Sequence, residues 1–292
     1  MASSLNYTVH QYGAHELQRL GIWDLDVADK TRTKYWIVFI HGGAWRDPRV
    51  AHDTFAPVIT RFLESSSNTA AGSTGSSSIP VAAFASLDYR LSPHPEFPQD
   101  PATTPPDRFR GAKHPDHLDD VRSALAFLQK RYGFGSRYVL VGHSAGGCLA
   151  YQLLAGLSRI EDVEVQFPAA VFGVEGIYDM TGLNARFAGG YAGFLEGAFG
   201  PQDKWDEVAP MKCPGSYGDW YPGGLAVLGH SVDDELVDMP EADGMAERLK
   251  RDGVELLLVK DLTGPHDDAW QDGRGVARTV LRVLDILRER AR

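Results

Sequence analysis

Residues 142–147 read Gly-His-Ser-Ala-Gly-Gly, a G-x-S-x-G pattern, between the apolar run 138–141 and an apolar stretch of helical character. A serine attacks an acyl carbon only when a base takes its proton and donors hold the oxyanion that forms. A sharp strand-to-helix turn exposes such a hydroxyl, here that of Ser144. Glycine at 142 and 146 keeps side chains from colliding across the turn. The helix that follows points its N-terminus at the site and favours developing negative charge. Ala145, next in the chain, is expected to donate its backbone N–H to the oxyanion. His41-Gly42-Gly43-Ala44-Trp45 follows a second apolar run, 35–40. Gly42 and Gly43 are expected to supply the other oxyanion donors, since glycines let the backbone approach that atom. His41 is expected to hold structure rather than act as base, and Cys148 to be a packed core thiol.

A base and an acid must complete the set. The chain order for a serine on such an elbow is Ser, then Asp or Glu, then His. Of the ten histidines, only His230 and His266 follow Ser144. The run 225–228 leads into Gly229-His230-Ser231-Val232-Asp233-Asp234, and the run 256–259 leads to His266. Loops at the carboxyl edge of a parallel sheet expose side chains to a shared site. His266 is therefore the expected base, with His230 on the acid-bearing loop. Asp233 and Asp234 are neighbours and cannot both face one imidazole. Asp234-Glu235-Leu236-Val237 fits the common D-x-x-V form of this loop, which favours Asp234. Asp233 is then a turn-forming carboxylate.

Positioning these residues requires a frame. Short runs at 35–40, 81–87, 138–141, 169–174, 225–228 and 256–259 are continuously apolar, as in parallel strands covered on both faces. Helical patterns separate them, at 116–131, 146–157, 240–251 and 276–290. Asp116 is the expected N-cap of the first, with Asp119 at the capping-box position and Gly133 beyond its end. This alternation predicts an α/β fold: a doubly wound, mostly parallel sheet flanked by helices. One domain over 1–292 is expected, because Ser144, Asp234 and His266 must meet from across the chain. The Ser-rich stretch 65–78 and the Pro-rich stretch 92–115 are expected to be loops.

Composition excludes other classes. Lys and Arg number 29 against 39 Asp and Glu, a net charge of −10. Such a chain repels nucleic acid and anionic lipid, and neither is an expected partner. The two cysteines, Cys148 and Cys213, are far apart, which argues against a disulfide framework or zinc knuckle. Residues 1–20 carry no apolar signal segment, and the longest apolar run is far too short to span a bilayer. A cytoplasmic enzyme with a small-molecule substrate is expected. Its chemistry would need no metal or organic cofactor.

Taken together, the motifs resemble the H-G-G-x-W branch of the α/β-hydrolase superfamily. The match runs from His41 through 88–93 (Asp-Tyr-Arg-Leu-Ser-Pro) and 114–117 (His-Pro-Asp-His) to Ser144, Asp234 and His266. The segment 88–93 is shared with hormone-sensitive-lipase-type esterases. His41 to Trp45, the loop 231–236 and His266-Asp267-Asp268 resemble fungal kynurenine formamidases more closely. That resemblance implies hydrolysis of N-formyl-L-kynurenine to formate and L-kynurenine, in tryptophan catabolism toward NAD, and a homodimer. A carboxylesterase acting on small acyl esters is the alternative, because it shares the triad and differs only in the pocket. A non-catalytic binding protein on the same fold usually lacks a triad member, whereas this chain has a candidate for each. An aromatic, zwitterionic substrate wants aromatic contacts and a cation. Trp45, Arg46, Tyr89 and Arg90 lie near the motifs, and the sequence singles out none of them.

Overall fold

A computed structural model of the chain describes residues 5–28, 33–71, 80–160 and 162–291. Eight strands form one sheet: β1 (Asn6–Gln11), β2 (Arg19–Asp24), β3 (Tyr35–Ile40), β4 (Val81–Leu87), β5 (Tyr138–His143), β6 (Ala170–Val174), β7 (Leu225–Ser231) and β8 (Glu255–Leu262). Their spatial order is β1-β2-β4-β3-β5-β6-β7-β8. The pairs β1–β2 and β2–β4 are antiparallel and all the others parallel. The sheet is thus the mostly parallel one read from the apolar runs, with an antiparallel edge added.

Strand alternation sends side chains to opposite faces, and helices cover both. Trp36, Val38 and Ile40 point into one cluster with α2 (Asp116–Tyr132), α3 (Ala145–Leu154) and α8 (Met239–Arg251). Ile37 and Phe39 point into the other, against α1 (Ala56–Ala71), the short α9 (Asp268–Gln271) and α10 (Arg274–Arg290). β4, β5, β6 and β7 are buried along their whole length, which is why they read as unbroken apolar runs.

Three local expectations are corrected. The Ser-rich stretch is not a loop from residue 65, because α1 continues through Ala71. Its small hydroxyl side chains are compatible with that: Ser66 Oγ donates back to the Phe62 carbonyl at 2.8 Å, as such side chains do within helices. Residues 72–79, which hold the rest of that stretch, lie outside the described residues. Asp116 is not the N-cap of α2; Pro115 occupies that place. Asp119 does not close a capping box. It is buried and accepts from Ser158 Oγ and Arg159 N–H, each at 2.8 Å. Tertiary partners here outcompete local capping.

Residues 92–115 contain no helix or strand. They are tied down by side chains: Ser92 Oγ donates to the Ala112 carbonyl at 2.8 Å, and Arg110 donates to that of Phe97 at 2.6 Å. Between β6 and β7 the chain makes four short helices: α4 (Met180–Arg186), α5 (Ala192–Phe199), α6 (Trp205–Val208) and α7 (Tyr217–Trp220). The second of these carries Phe194 to the cavity that holds Ser144. No helix among the described residues is long and apolar enough to cross a membrane.

Candidate active site

The elbow is built as its glycines require. Ser144 joins β5 to α3 with φ 54° and ψ −119°, a strained conformation for a non-glycine residue. A Cβ on Gly142 would lie 2.2 Å from the Gly146 carbonyl oxygen, and one on Gly146 would lie 2.1 Å from that of Ile40. Neither distance is tolerable against backbone. The Ser144 N–H donates to the Val174 carbonyl at 2.9 Å, which fixes the elbow to the end of β6. α3 begins at Ala145, so the N–H of that residue lies in the orphan first turn of a helix.

The 41–45 loop is equally constrained. Gly43, Ala44 and Trp45 have φ of 85°, 49° and 59°, three consecutive left-handed residues. A Cβ on Gly42 would lie 3.0 Å from Ser144 Cβ, so the glycine allows the loop to pass directly beside Ser144. His41 is buried and stacks on Tyr89, with ring centres 4.4 Å apart. Its Nδ1 lies 2.9 Å from the Gly42 carbonyl. Burial lowers its pKa against the pull of Asp88, so it stands as a neutral prop for the loop. Cys148 is fully buried, where desolvation holds it as a thiol.

Asp234 and His266 meet across the sheet edge. Asp234 Oδ2 lies 2.8 Å from His266 Nδ1. A carboxylate only accepts, so Nδ1 carries the proton and Nε2 is left free as a base. The other carboxylate oxygen of Asp234 accepts from the N–H groups of Leu236 (2.9 Å) and Val237 (2.8 Å). Asp233 turns elsewhere: its Oδ2 accepts from Gly264 N–H at 3.1 Å, while Ser231 Oγ donates to the Gly264 carbonyl at 2.7 Å. Asp233 thus pins the histidine loop to the acid loop. His230 is fully buried and donates from Nε2 to the Val237 carbonyl at 2.8 Å.

Burial disfavours charge on His266. The Asp234 hydrogen bond and charge, with smaller contributions from Glu175 and Asp267, outweigh it and raise the imidazole pKa above its ordinary value. Burial likewise raises Asp234. The hydrogen bond and charge of His266, with the two loop N–H groups, outweigh that and leave the carboxyl below its usual range.

Ser144 and His266 open onto one cavity of about 330 Å³. Gly43, Ala44 and Arg46 form one side of it, Tyr191 and Phe194 another, and Trp270 and Asp267 a third. Of the four residues near the motifs, the structure leaves only Arg46 to this space. Trp45 is fully buried against Phe199, at 4.8 Å and edge-on. Tyr89 is buried and donates to the His41 and Gly42 carbonyls at 3.1 Å. Arg90 is held by Asp120 at 2.8 Å. The Arg46 guanidinium lies over the Phe194 ring, 5.5 Å from its centre, and forms no ion pair or side-chain hydrogen bond with the described residues. A second cavity of about 370 Å³, bordered by Asp261, Asp272 and Arg274, does not touch Ser144.

Two carboxylates at the site escaped the sequence reading. Glu235 accepts from the His266 N–H at 3.1 Å. Glu175 follows β6 directly and is buried beside the imidazole, with Oε2 3.8 Å from His266 Nδ1. Its position at the carboxyl end of a strand was a signal that could have found it. His143, Glu175 and His266 place ligand-type atoms within 4.8 Å of one another. His266 Nδ1 is already bonded to Asp234, so the group reads as a hydrogen-bonding cluster around the imidazole.

No family model matches the chain. It is 34% identical to kynurenine formamidase avaC of Aspergillus versicolor, over 83% of this chain and 86% of the relative. It is 36% identical to the kynurenine formamidase-like hydrolase fscH of Fusarium equiseti, over 87% of this chain and 84% of the relative. Among solved structures, a hormone-sensitive lipase from a metagenome library superposes with a TM-score of 0.63 at 19% identity, covering 95% of this chain and 86% of the other. That likeness shows the α/β-hydrolase fold. With relatives above 30% identity matched over most of their length, the chain belongs to the kynurenine formamidase family.

Proposed function

We propose that this protein is a serine hydrolase that cleaves the formyl amide of N-formyl-L-kynurenine, giving formate and L-kynurenine. His266 Nε2, with Nδ1–H held by Asp234, takes the Ser144 proton as Oγ attacks the formyl carbon. The backbone N–H groups of Gly42 or Gly43 and of Ala145 hold the oxyanion. The imidazolium returns its proton to the aryl nitrogen, the C–N bond breaks and L-kynurenine leaves. Water, deprotonated by His266, then attacks the formyl ester. Collapse releases formate and returns the proton to Ser144. In the organism this would serve tryptophan catabolism toward NAD.

The observation that carries the substrate assignment is Arg46. An unpaired guanidinium over a phenyl ring, in a cavity walled by Tyr191, Phe194 and Trp270, fits an aromatic amino acid that brings its own carboxylate. A small neutral ester gives that cation nothing to bind. The names of the relatives support the same reading.

The test is kcat/KM for N-formyl-L-kynurenine beside that for a short-chain aryl acetate, with Ser144→Ala as control. A preference for the formamide, and loss of both activities in the variant, is expected. A strong ester preference would overturn the formamidase assignment in favour of a hormone-sensitive-lipase-type esterase, the reading that the fold by itself also fits.

A further inference from the structure

Glu175 is 2% exposed, yet its Oε2 accepts no hydrogen bond from the described residues. Its backbone has φ 49°, a strained value for a side chain of this size. An unbonded buried carboxylate oxygen and a strained backbone are both costly, and an apolar residue would avoid the first. The surroundings give a reason for both. Glu175 Oε2 lies 3.8 Å from His266 Nδ1 and 3.5 Å from His143 Nε2. His143 Nε2 lies 3.1 Å from the His266 carbonyl, an atom that only accepts, so this nitrogen carries the proton and donates it. The two imidazoles lie 4.5 Å apart. The backbone reinforces the placement: Glu175 N–H donates to the Gly229 carbonyl at 2.8 Å, on the strand that leads into the acid loop.

We infer that Glu175 is a second carboxylate for His266, a positioning residue that backs Asp234 on the Nδ1 edge of the ring and, through His143, fixes the backbone of His266. Asp234 takes the Nδ1 proton directly. Glu175 faces the same edge from the neighbouring strand and favours the imidazolium that forms in each half-reaction. Its unpartnered oxygen is thus matched to the charge that the neutral base acquires during turnover, which is when stabilisation accelerates the reaction. The role concerns the base and not the substrate, so it applies to amide and ester alike. It rests on the reading of Ser144, His266 and Asp234 as a hydrolytic triad.

The groups facing His266 are Asp234 and Glu235 from the loop after β7, Glu175 from the end of β6, His143 from β5, and Asp267 on its own loop. Of these, Glu175 and Asp267 act through charge without a hydrogen bond to the ring, and Glu175 is the buried one and the larger contributor. Removing that charge should therefore lower the pKa of the imidazole.

The experiment is the pH profile of kcat/KM for wild type and Glu175→Gln, with Asp234→Ala and the double variant beside them. Glu175→Gln should shift the acid limb about one unit to lower pH, the effect of losing one nearby opposite charge. It should cost kcat roughly ten- to a hundredfold, less than the ~10⁴ of losing a directly bonded orienting Asp. In the Asp234→Ala background the same change should cost more than in wild type, since Glu175 is then the remaining carboxylate at Nδ1. Should Glu175→Gln fold poorly, Glu175→Asp and Glu175→Asn form a pair of equal size, and only the charged member should restore the limb. An unmoved limb, with equal fold-losses in both backgrounds, would overturn the inference. Ser144→Ala run in parallel keeps the two readings separate: turnover that survives it removes the triad itself, whereas a dead Ser144→Ala beside an unmoved limb removes only Glu175.

Discussion

Asp234 Oδ2 stands 2.8 Å from His266 Nδ1, while Asp233, one residue earlier, binds the backbone of Gly264 at 3.1 Å. Two adjacent carboxylates thus have separate tasks. Asp234→Asn should lose about 10⁴ in kcat, because the amide presents the wrong hydrogen-bonding partner to the ring. Asp233→Asn should cost far less, acting only through the loop that it pins. Steady-state kinetics of the two single variants decide this, and the reverse ranking would exchange their roles.

The pH dependence follows from the same pair. His266 must be neutral to act as base, and its pKa in the folded protein lies above the ordinary 6.5. kcat/KM should therefore fall as pH drops, with a midpoint above 6.5 rather than below it. A rate profile from pH 5 to 9 checks the sign. A midpoint well below 6.5 would mean that burial, and not the Asp234 partnership, dominates the imidazole.

Arg46 should govern affinity for a charged substrate. A hydrogen bond to a charged group contributes about 1.5–3 kcal/mol, or roughly ten- to a hundredfold in binding. Arg46→Gln should raise KM for N-formyl-L-kynurenine by that factor, with little change in kcat and none for a neutral aryl acetate. Equal losses on both substrates would show that Arg46 only packs on Phe194.

Gly146→Ala should be among the most destabilising small substitutions in the chain. The new Cβ would lie 2.1 Å from the Ile40 carbonyl oxygen, so α3 must move away from β3. A loss at or beyond the upper end of about 1–3 kcal/mol is expected. Gly193→Ala is the matching control. Gly193 is exposed in α5 with nothing within 4 Å of a new Cβ, and there alanine should stabilise by about 0.5–1 kcal/mol. Thermal melting of both variants tests the contrast.

Acid should weaken the fold through two histidines, His117, which is buried, and His114, which is half-buried. Burial lowers the pKa of His117 to about 3 and that of His114 to about 4. Both stay neutral when folded and take up a proton when unfolded once pH falls below about 6.5. The unfolded state then binds more protons, so stability falls with falling pH between about 6.5 and 4, by up to ~1.4 kcal/mol per unit for each group. His117→Gln should flatten the dependence of Tm on pH between 7 and 5. An unchanged slope would assign the acid sensitivity to other groups.

Much of this was legible in the residues themselves. Gly-His-Ser-Ala-Gly demands an elbow because only glycine fits at 142 and 146. Chain order reduced the bases to two, and unbroken apolar runs identified strands buried on both faces. These features are local, or depend on order alone. β1 and β2 were missed because no unbroken apolar run marks either: β1 is an almost wholly exposed edge strand, and in β2 Gly21 interrupts the buried run from Leu20 to Trp23. The short helices between β6 and β7 escaped because each runs only four to eight residues, too few turns to print a helical period on the sequence. The choice among Trp45, Arg46, Tyr89 and Arg90 depended on which side chain faces the cavity, and neighbours distant in sequence set that direction: Phe199, Phe194, the carbonyls of His41 and Gly42, and Asp120. Glu175 lay 91 residues before His266 with no spacing to link them. The sequence determined that a serine, an acid and a histidine would be held at one edge of a parallel sheet. Only the tertiary structure, by registering β6 beside β5 and β7, decided that a second carboxylate would stand behind the imidazole.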